Sequence, residues 1–416
     1  MKPRIGILSL GCPRNLVDSE DILGRLFKKG YEIVDIDKAQ VAIVNTCAFI
    51  EEAKQESIEA ILDLVELKKK GKLRKVIVYG CLPQRYKSIL SKELSEVDAF
   101  IGKVSLNNGL NRFAITPKHY AYLKICEGCV NLCSFCVIPK IKGRLSSLSL
   151  DSIISKVEQF SKDRISELNI VGQDITGYGI DLKGDLNIAK LVGKIIKKAK
   201  NIGWIRLLYL NPARLDEDLL KLISKEEKIC KYVDLPIQHI NNRILKLMNR
   251  KITRDEIVRV IDKVRKNVPG VALRTSVITG FPGETDKEFL ELLEFIKEAK
   301  FERLGAFKYS REEGTRAYDF KGQVPEAVKS DRFNQIMSLQ QKVSTEVNSK
   351  FIGKILKVLV DGCENGSYIG RSEFDAPEVD GLVYIKSERM LKPGEFINLK
   401  VTDTLEYDLV GETPSA

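Results

Sequence analysis

The chain has 416 residues, enough for two or three domains with hydrophobic cores, and it carries 68 Lys and Arg against 57 Asp and Glu. Nine cysteines without an export signal argue against a disulfide-stabilised secreted protein and favour reduced thiols in the cytoplasm. No stretch approaches the roughly 18 apolar residues of a membrane helix, so no membrane partner is expected. The net charge of +11 indicates an acidic partner such as RNA or the ribosome.

Strand-like and helical segments alternate in the first 115 residues. Strands are predicted at residues 4–10, 41–44 and 76–79, with helices from about Asp18 to Gly30 and over residues 51–70. Strands that alternate with helices indicate a parallel sheet. We therefore predict an α/β domain at the N-terminus.

Three cysteines, Cys12, Cys47 and Cys81, each come just after one of these strands. Because the carboxyl ends of parallel strands lie along one edge of a sheet, the three thiols are expected to meet in one crevice. Each could instead be an ordinary buried cysteine, which is common for this residue type. Their placement after all three strands favours a metal site, and three ligands would leave one iron of a cluster open.

A polar link through Asn107, Asn108 and Pro117 leads to a second domain, residues 116–346. Six strands are predicted, at residues 121–125, 167–171, 204–209, 232–235, 271–278 and 304–309. Helical patterns lie between them, at residues 151–161, 188–200, 215–224, 253–267 and 284–299. Six β/α units are too few for a closed eight-stranded barrel. The pattern predicts an open, TIM-like (β/α)6 barrel with its functional loops at the carboxyl ends of the strands.

The loop after the first of these strands contains a C-x3-C-x2-C run formed by Cys129, Cys133 and Cys136. Three thiolates in one loop can each bind a different corner iron of a 4Fe-4S cluster and leave the fourth iron open. Cys126 extends the run to C-x2-C-x3-C-x2-C, so a closed site for zinc or a cluster, or unligated thiols, remain alternatives. We interpret Cys126 as a small residue on the strand.

Polar residues and glycines occupy equivalent positions after the other strands. They are Gln173 and Asp174 after the second strand, Gln238 and His239 after the fourth, and Gly280 and Glu284 after the fifth. Glycine lets a backbone approach a ligand closely, so these loops are candidates for cofactor binding. A lone histidine is more often a hydrogen-bonded structural residue, and Glu284 could simply begin a helix.

Residues 325–350 predict a helix of mixed charge that leaves the barrel. Short alternating runs follow at residues 355–360, 382–385 and 396–401, and this spacing predicts a small antiparallel β-barrel over residues 347–416. Residues 348–416 contain eight Lys and Arg against twelve Asp and Glu, a net charge of −4. Such a domain would repel a phosphate backbone and suit a basic protein partner, or the charge only keeps it soluble.

The cysteine loop, with Phe135 before its last cysteine, resembles that of the radical S-adenosylmethionine (SAM) enzymes, in which SAM binds the open iron and is cleaved to an adenosyl radical. Residues 9–15 (SLGCPRN), 80–86 (GCLPQRY) and 375–381 (DAPEVDG) extend this resemblance to the whole chain. The chain resembles the radical-SAM methylthiotransferases, in the branch that modifies an aspartate of a ribosomal protein. Pro13 and residues 375–381 separate this branch from the sister family that modifies tRNA adenosine.

The resemblance implies an N-terminal methylthiotransferase domain over residues 1–115, a radical-SAM core over 116–346 and a C-terminal TRAM barrel over 347–416. It implies two 4Fe-4S clusters: an auxiliary cluster on Cys12, Cys47 and Cys81, and a SAM-cleaving cluster on the three cysteines of the loop. Phe135 would flank the bound SAM. Val130 and Leu132 are apolar where relatives often carry charge.

The resemblance also implies a reaction and its partners. The enzyme would add a methylthio group to the β-carbon of an aspartate in the twelfth small-subunit ribosomal protein, free or in the assembled subunit. A reductant such as flavodoxin or ferredoxin is implied, and direct RNA binding would be secondary. Insertion at an unactivated C–H bond requires a radical, which the cofactors supply while the protein orients the reactants.

Three alternatives stay open: a tRNA adenosine methylthiotransferase, a different radical-SAM reaction, and a non-enzymatic metal-binding adaptor. A tRNA enzyme would need stacking aromatic and basic residues near the tip of the C-terminal barrel. If the protein is an enzyme with two clusters, we expect both cysteine triads to face one cavity between the domains.

Overall fold

A four-stranded parallel sheet forms the N-terminal domain of the computed structural model, which describes residues 2–102 and 112–414. Its elements are β1 (Ile5–Ser9), α1 (Pro13–Lys28), β2 (Val41–Thr46), α2 (Glu51–Lys69), β3 (Lys75–Gly80), α3 (Cys81–Glu93) and β4 (Ala99–Ile101). The strand order is β1-β2-β3-β4. All six residues of β2 are buried, as a strand covered on both faces requires. Asn107 and Asn108 of the predicted linker lie outside the described residues.

The first helix starts earlier than predicted. It begins at Pro13 rather than near Asp18, because the fixed φ of proline suits the first helical position and its missing N–H is not needed there. Helix α3 and strand β4 were not predicted, and α3 is kinked at Tyr86, where the backbone is not helical. As a result, Cys12 is the N-cap of α1 and Cys81 is the first residue of α3.

The second domain, described from residue 112 onwards, is the expected open (β/α)6 barrel. Its elements are β5 (Tyr120–Lys124), β6 (Cys126–Glu127), α4 (Ile138–Ile141), β7 (Ser146–Ser147), α5 (Leu150–Lys162), β8 (Glu167–Val171), α6 (Ile188–Lys198), β9 (Trp204–Leu207), α7 (Glu217–Lys225), β10 (Tyr232–Asp234), α8 (Asn242–Leu247), α9 (Arg254–Asn267), β11 (Ala272–Thr279), α10 (Asp286–Ala299), β12 (Arg303–Lys308) and α11 (Glu326–Ser349).

The six parallel strands of this barrel form two sheets, β5-β8-β9 and β10-β11-β12. The Leu210 N–H donates to the Asp234 carbonyl (3.0 Å) and joins the two halves. Thr253 and Thr285 form capping boxes at the N-termini of α9 and α10, which fix where these helices begin. The short strands β6 and β7 pair in antiparallel fashion on either side of the cysteine loop.

The C-terminal domain is a closed five-stranded barrel formed by β13 (Ile355–Glu364), β14 (Ser367–Ser372), β15 (Val383–Lys386), β16 (Phe396–Thr404) and β17 (Leu409–Glu412). Four of its five strand pairs are antiparallel, as predicted, and β15 with β17 is parallel. Strands β14 and β17 were not predicted. Within the described ranges, none of the helices is both long and apolar enough to cross a membrane.

The C-terminal barrel closes the amino end of the partial barrel. Three acidic side chains of residues 375–381 reach the first or early residues of the barrel strands. Asp375 accepts hydrogen bonds from Arg303 (2.8 and 2.5 Å), Glu378 from Tyr120 (2.7 Å), and Asp380 from Tyr232 (2.6 Å). Arg303 and Asp375 are both buried, so neither charge is solvated by water.

Replacing Asp375 with alanine leaves the Arg303 guanidinium buried without its counter-charge. We expect D375A to lower the free energy of unfolding by about 3 to 5 kcal/mol. Chemical denaturation followed by circular dichroism measures this change. The matched control is E158A, which removes the exposed partner of Lys198 and should leave the unfolding midpoint unchanged. Equal midpoints for D375A and the unmodified protein would contradict the assignment.

Candidate active site

The carboxyl ends of the strands in the two α/β domains face each other across the domain interface. Arg14 at the start of α1 donates to the carbonyl of Gly172, which follows β8 (3.1 Å). On another side of the interface, Arg85 of α3 pairs with the buried carboxylate of Glu312, which follows β12 (2.8 Å). The N-terminal domain therefore lies over the functional end of the partial barrel.

Cys12 and Cys47 come together through a glycine. Gly11 has φ +84°, a conformation that favours glycine, and a Cβ atom there would lie 2.7 Å from the Cβ and 3.1 Å from the Sγ of Cys47. Asn15 joins the third strand end, because its Nδ2 donates to the Thr46 carbonyl (3.1 Å) while its Oδ1 lies 3.8 Å from the Sγ of Cys81. The predicted convergence of these cysteines is thus present.

The charges around these three thiols differ. Burial alone raises the pKa of Cys12, but the Arg14 guanidinium, whose Nε donates to the Cys12 Sγ (3.3 Å), and Lys142 lower it below its ordinary value. Burial raises the pKa of Cys47, and the negative charge of Cys12 raises it further. Burial also raises the pKa of Cys81 to about 12, although Lys142 acts against it.

Three thiolates so close together repel one another, so a cationic group among them would stabilise all three in the deprotonated form. The donor set therefore fits an iron–sulfur cluster. Among residues 2–102 and 112–414, no three His, Cys, Asp or Glu side chains are arranged around one metal ion. A cubane cluster has a different requirement, since each thiolate binds a different corner iron.

The second cysteine triad lies in a loop held by polar contacts. The Asn131 Nδ2 donates to the Cys129 Sγ (3.3 Å) and to the Asp174 Oδ2 (2.7 Å). Arg214 donates to the Asn131 Oδ1 (3.0 Å) and forms an ion pair with Asp174. Asp174, a predicted cofactor-binding residue, thus fixes the shape of the loop around Cys129.

The segment between β10 and α9, which includes α8, holds the other half of this loop. The Ser134 Oγ donates to the Leu247 carbonyl (2.7 Å). The guanidinium of Arg250 lies 3.8 Å from the Cys133 Sγ and also donates to the Pro236 carbonyl (2.7 Å). These contacts hold this side of the loop against the segment between β10 and α9.

Cys126 differs from the three loop cysteines. It is 1% exposed and belongs to the hydrophobic core of the partial barrel, whereas Cys129, Cys133 and Cys136 are half-buried. A Cβ atom on Gly172 would lie 2.7 Å from its Sγ. Burial raises the pKa of Cys126 to about 12, as it does that of Cys136, so the core position and not the pKa separates Cys126 from the loop cysteines. These surroundings favour a core residue on β6 over a fourth ligand.

Two further predicted cofactor-binding residues lie near the loop. Phe135 is half-buried and packs in a cluster with Met248, Phe281 and Tyr309. The Gln173 Nε2 donates to the Glu127 Oε1 (3.1 Å), while its own carbonyl oxygen is buried with no hydrogen-bond partner among the described residues. A buried oxygen of this kind is suited to accept a hydrogen bond from a donor group of a bound ligand.

The remaining predicted cofactor-binding residues form a buried cluster below the loops. His239 accepts a hydrogen bond at Nδ1 from the Asn241 N–H (3.0 Å), and its Nε2 lies 3.6 Å from Glu284. The other oxygen of Glu284 accepts from the N–H groups of Gly280 and Phe281. These contacts stabilise the turn between β11 and α10, so the cofactor contact of His239, Gly280 and Glu284 stays a prediction.

Gln238 has φ +73° and forms an isolated parallel bridge with Val277 of β11. Its role toward a cofactor also stays a prediction. Sequence reasoning missed Arg14, Tyr209, Asn131 and Arg214. Arg14 and Asn131 each lie two residues after a cysteine, which was the available signal. No signal linked Tyr209 or Arg214 to the site, because their partners are remote in the chain.

Family models match all three domains. The model of the radical SAM superfamily matches residues 123–296, the model described as uncharacterized protein family UPF0004 matches residues 4–102, and the TRAM domain model matches residues 352–413.

Curated relatives match nearly the full chain. The ribosomal protein uS12 methylthiotransferase RimO of Thermoanaerobacter sp. (strain X514) is 45% identical over 98% of this chain and 99% of its own length. The protein of the same name from Clostridioides difficile (strain 630) is 44% identical over 98% of each chain. Identity at this level over the whole length extends to the N-terminal and C-terminal domains as well as the barrel.

Solved structures share the fold at low identity. The radical SAM methyltransferase TsrM from Kitasatospora setae has a TM-score of 0.55 at 13% identity and covers 73% of this chain and 72% of its own. The cobalamin-dependent SAM radical enzyme OxsB has a TM-score of 0.51 at 12% identity and covers 82% of this chain and 56% of its own. These structures support the fold alone.

The buried core position of Cys126 leads to a prediction about iron binding. Because Cys126 is a core residue, C126A should keep the full iron content after anaerobic reconstitution, whereas C129A should lose the iron of the loop site. Iron and sulfide analysis measures both. C230A, which removes another fully buried thiol, is the matched control for core damage. A loss of iron in C126A that C230A does not share would restore the four-cysteine alternative.

Proposed function

This chain belongs to the ribosomal protein uS12 methylthiotransferase family of radical-SAM enzymes, and we propose that it adds a methylthio group to the β-carbon of an aspartate in ribosomal protein uS12. The observation that carries the proposal is the similarity to these enzymes at about 45% identity over 98% of the chain. As a radical-SAM enzyme it uses SAM and an iron–sulfur cluster. The same similarity does not favour the tRNA adenosine alternative.

Two 4Fe-4S clusters are proposed, one on each cysteine triad. Cys12, Cys47 and Cys81 would hold the auxiliary cluster, and the thiols of residues 129–136 would hold the cluster that binds SAM. The chemistry that such clusters supply is the reductive cleavage of SAM and a site for the sulfur that is transferred. The mutual effect of the N-terminal thiols on their pKa values supports a shared site.

The chain's own residues orient the reactants. Asn131, Asp174 and Arg214 fix the loop, while Phe135 and Gln173 offer an apolar face and an acceptor to bound SAM. The proposed SAM site also includes four residues below the cysteine loop: Gln238, His239, Gly280 and Glu284. A domain interface that excludes water would protect a carbon radical from side reactions.

The substrate is proposed to be uS12, free or within the assembled small subunit, in the cytoplasm. A one-electron donor of the flavodoxin or ferredoxin class would supply the reductant, and contact with ribosomal RNA would be secondary. Five acidic residues of the C-terminal domain contact the partial barrel. They are Asp361, Glu373, Asp375, Glu378 and Asp380. Only the remaining acidic residues of this domain can favour a basic partner.

Anaerobically reconstituted protein, incubated with SAM, sulfide, a reductant and uS12, should produce uS12 that carries one methylthio group, as measured by mass spectrometry. C12A, C47A and C81A should each abolish this product while SAM cleavage to 5′-deoxyadenosine continues, because the cleavage site is separate. C133A should abolish both. The exposed Cys363 provides the control variant C363A.

The proposal fails if C12A, C47A and C81A all make the product at the rate of C363A. It also fails if the methylthio group appears on tRNA and not on uS12.

A further inference from the structure

Arg14 lies at the interface between the N-terminal domain and the partial barrel. Its guanidinium donates from Nε to the Cys12 Sγ (3.3 Å) and from a terminal nitrogen to the Gly172 carbonyl (3.1 Å). Its central carbon lies 4.9 Å from the centroid of the Tyr209 ring. Cys12 belongs to the N-terminal domain, whereas Gly172 and Tyr209 belong to the partial barrel. One side chain thus connects an auxiliary-site thiol to the barrel by three directed contacts.

The aromatic partner of Arg14 has a strained backbone. Tyr209 has φ +64°, in the left-handed region that a bulky side chain rarely adopts. Its N–H donates to the Asp234 Oδ2 (2.9 Å), and its carbonyl accepts from the Ile175 N–H (3.1 Å). Strain of this kind persists only where neighbours impose it, and it is concentrated at functional sites.

The contacts that impose this conformation continue to the C-terminal barrel. Asp234, which holds the Tyr209 N–H, pairs with Arg274 (3.2 Å), and Arg274 lies 3.3 Å from Asp380. Tyr232 also donates to Asp380 (2.6 Å). The backbone of Tyr209 is therefore held by a carboxylate whose own partner, Arg274, is linked to the C-terminal domain, and its conformation is not a feature of an isolated loop.

We propose that Arg14 is a positioning residue for methylthio transfer, with the Tyr209 ring as the platform on which its guanidinium lies. It holds the auxiliary site at a fixed distance from the carboxyl edge of the partial barrel, where the loop cysteines and Asp174 lie. A planar cation that stacks on a ring while its rigid fork donates in two directions suits this task, and lysine lacks the planar fork. This inference rests on the function proposed above.

The cation has a second effect that follows from Coulomb's law. Arg14 is a fixed positive charge beside the auxiliary site, and its removal makes reduction of a cluster there less favourable. A variant without this charge should therefore lower the midpoint potential of the auxiliary cluster. This readout does not depend on turnover.

The experiment compares R14M and R14K with R311M in the reconstituted full-length enzyme. Arg311 also stacks on a tyrosine, Tyr318 (4.4 Å), but is exposed and lies outside the site. We expect R14M to lower the ratio of methylthio-uS12 to 5′-deoxyadenosine by about tenfold or more, and R14K to lie between R14M and R311M. Electron paramagnetic resonance titration should show a lower auxiliary-cluster potential in R14M than in R311M.

A second pair of variants leaves the cluster thiols and Arg14 untouched. Y209F keeps the aromatic face and should lie close to the unmodified enzyme in product ratio, whereas Y209L removes the face and should lower the ratio. If R14M fails to fold or loses its auxiliary iron, the comparison of Y209F with Y209L still tests whether stacking of Arg14 supports methylthio transfer.

The inference is overturned if R14M and R311M have the same potential and product ratio, or if Y209F and Y209L have the same ratio. Failure of the proposed function gives a different result. The unmodified enzyme would then make no methylthio-uS12, while the difference in potential between R14M and R311M would still show whether Arg14 acts on the auxiliary site.

Discussion

Buried charge pairs between the N-terminal domain and the partial barrel are the interaction on which the site depends. Glu312 is 1% exposed and is paired with both Arg85 and Lys54 of the N-terminal domain. A buried carboxylate is costly without its partners, so separating the domains here would carry a large desolvation penalty. Because these hydrogen-bonded ion pairs are directional, they also fix how the carboxyl ends of the N-terminal strands face those of the partial barrel.

Buried ion pairs of both polarities hold the C-terminal barrel against the partial barrel. Glu167 of β8 accepts from Arg206 (2.9 Å) and from Arg371 of the C-terminal barrel (2.6 Å), and Arg371 also binds Asp361. Aromatic residues at the start of the barrel strands pack against Phe374 and Ala376 in the same region. Among the acidic residues of the C-terminal domain, Asp375 and Asp380 pair with Arg303 and Arg274 of the neighbouring domain, so residues 375–381 form part of this contact.

The sequence predicted the order of elements well, because periodic burial and the alternation of strands with helices are local patterns. The rule that parallel strands end at one edge predicted where Cys12, Cys47 and Cys81 would lie. Some elements were missed: helix α3 begins directly after β3 with no polar spacer, and strands β14 (SYIGRS) and β17 (LVGE) lack a regular alternation of apolar and polar residues. Periodicity predicts which face of an element is buried, but not which element packs against that face. The contact of Arg14 with Gly172, 158 positions away, could therefore not be predicted from the sequence.

The arrangement of Arg303 has a consequence for biosynthesis. The strand that carries this arginine leaves the ribosome before Asp375, since translation runs from the amino end. Until Asp375 emerges, Arg303 lacks this buried counter-charge, whereas Arg206 and Arg274 can already pair with Glu167 and Asp234 of the partial barrel. The amino end of the partial barrel is therefore covered, and the Arg303 charge paired, only after the last domain has been synthesised and has folded against it.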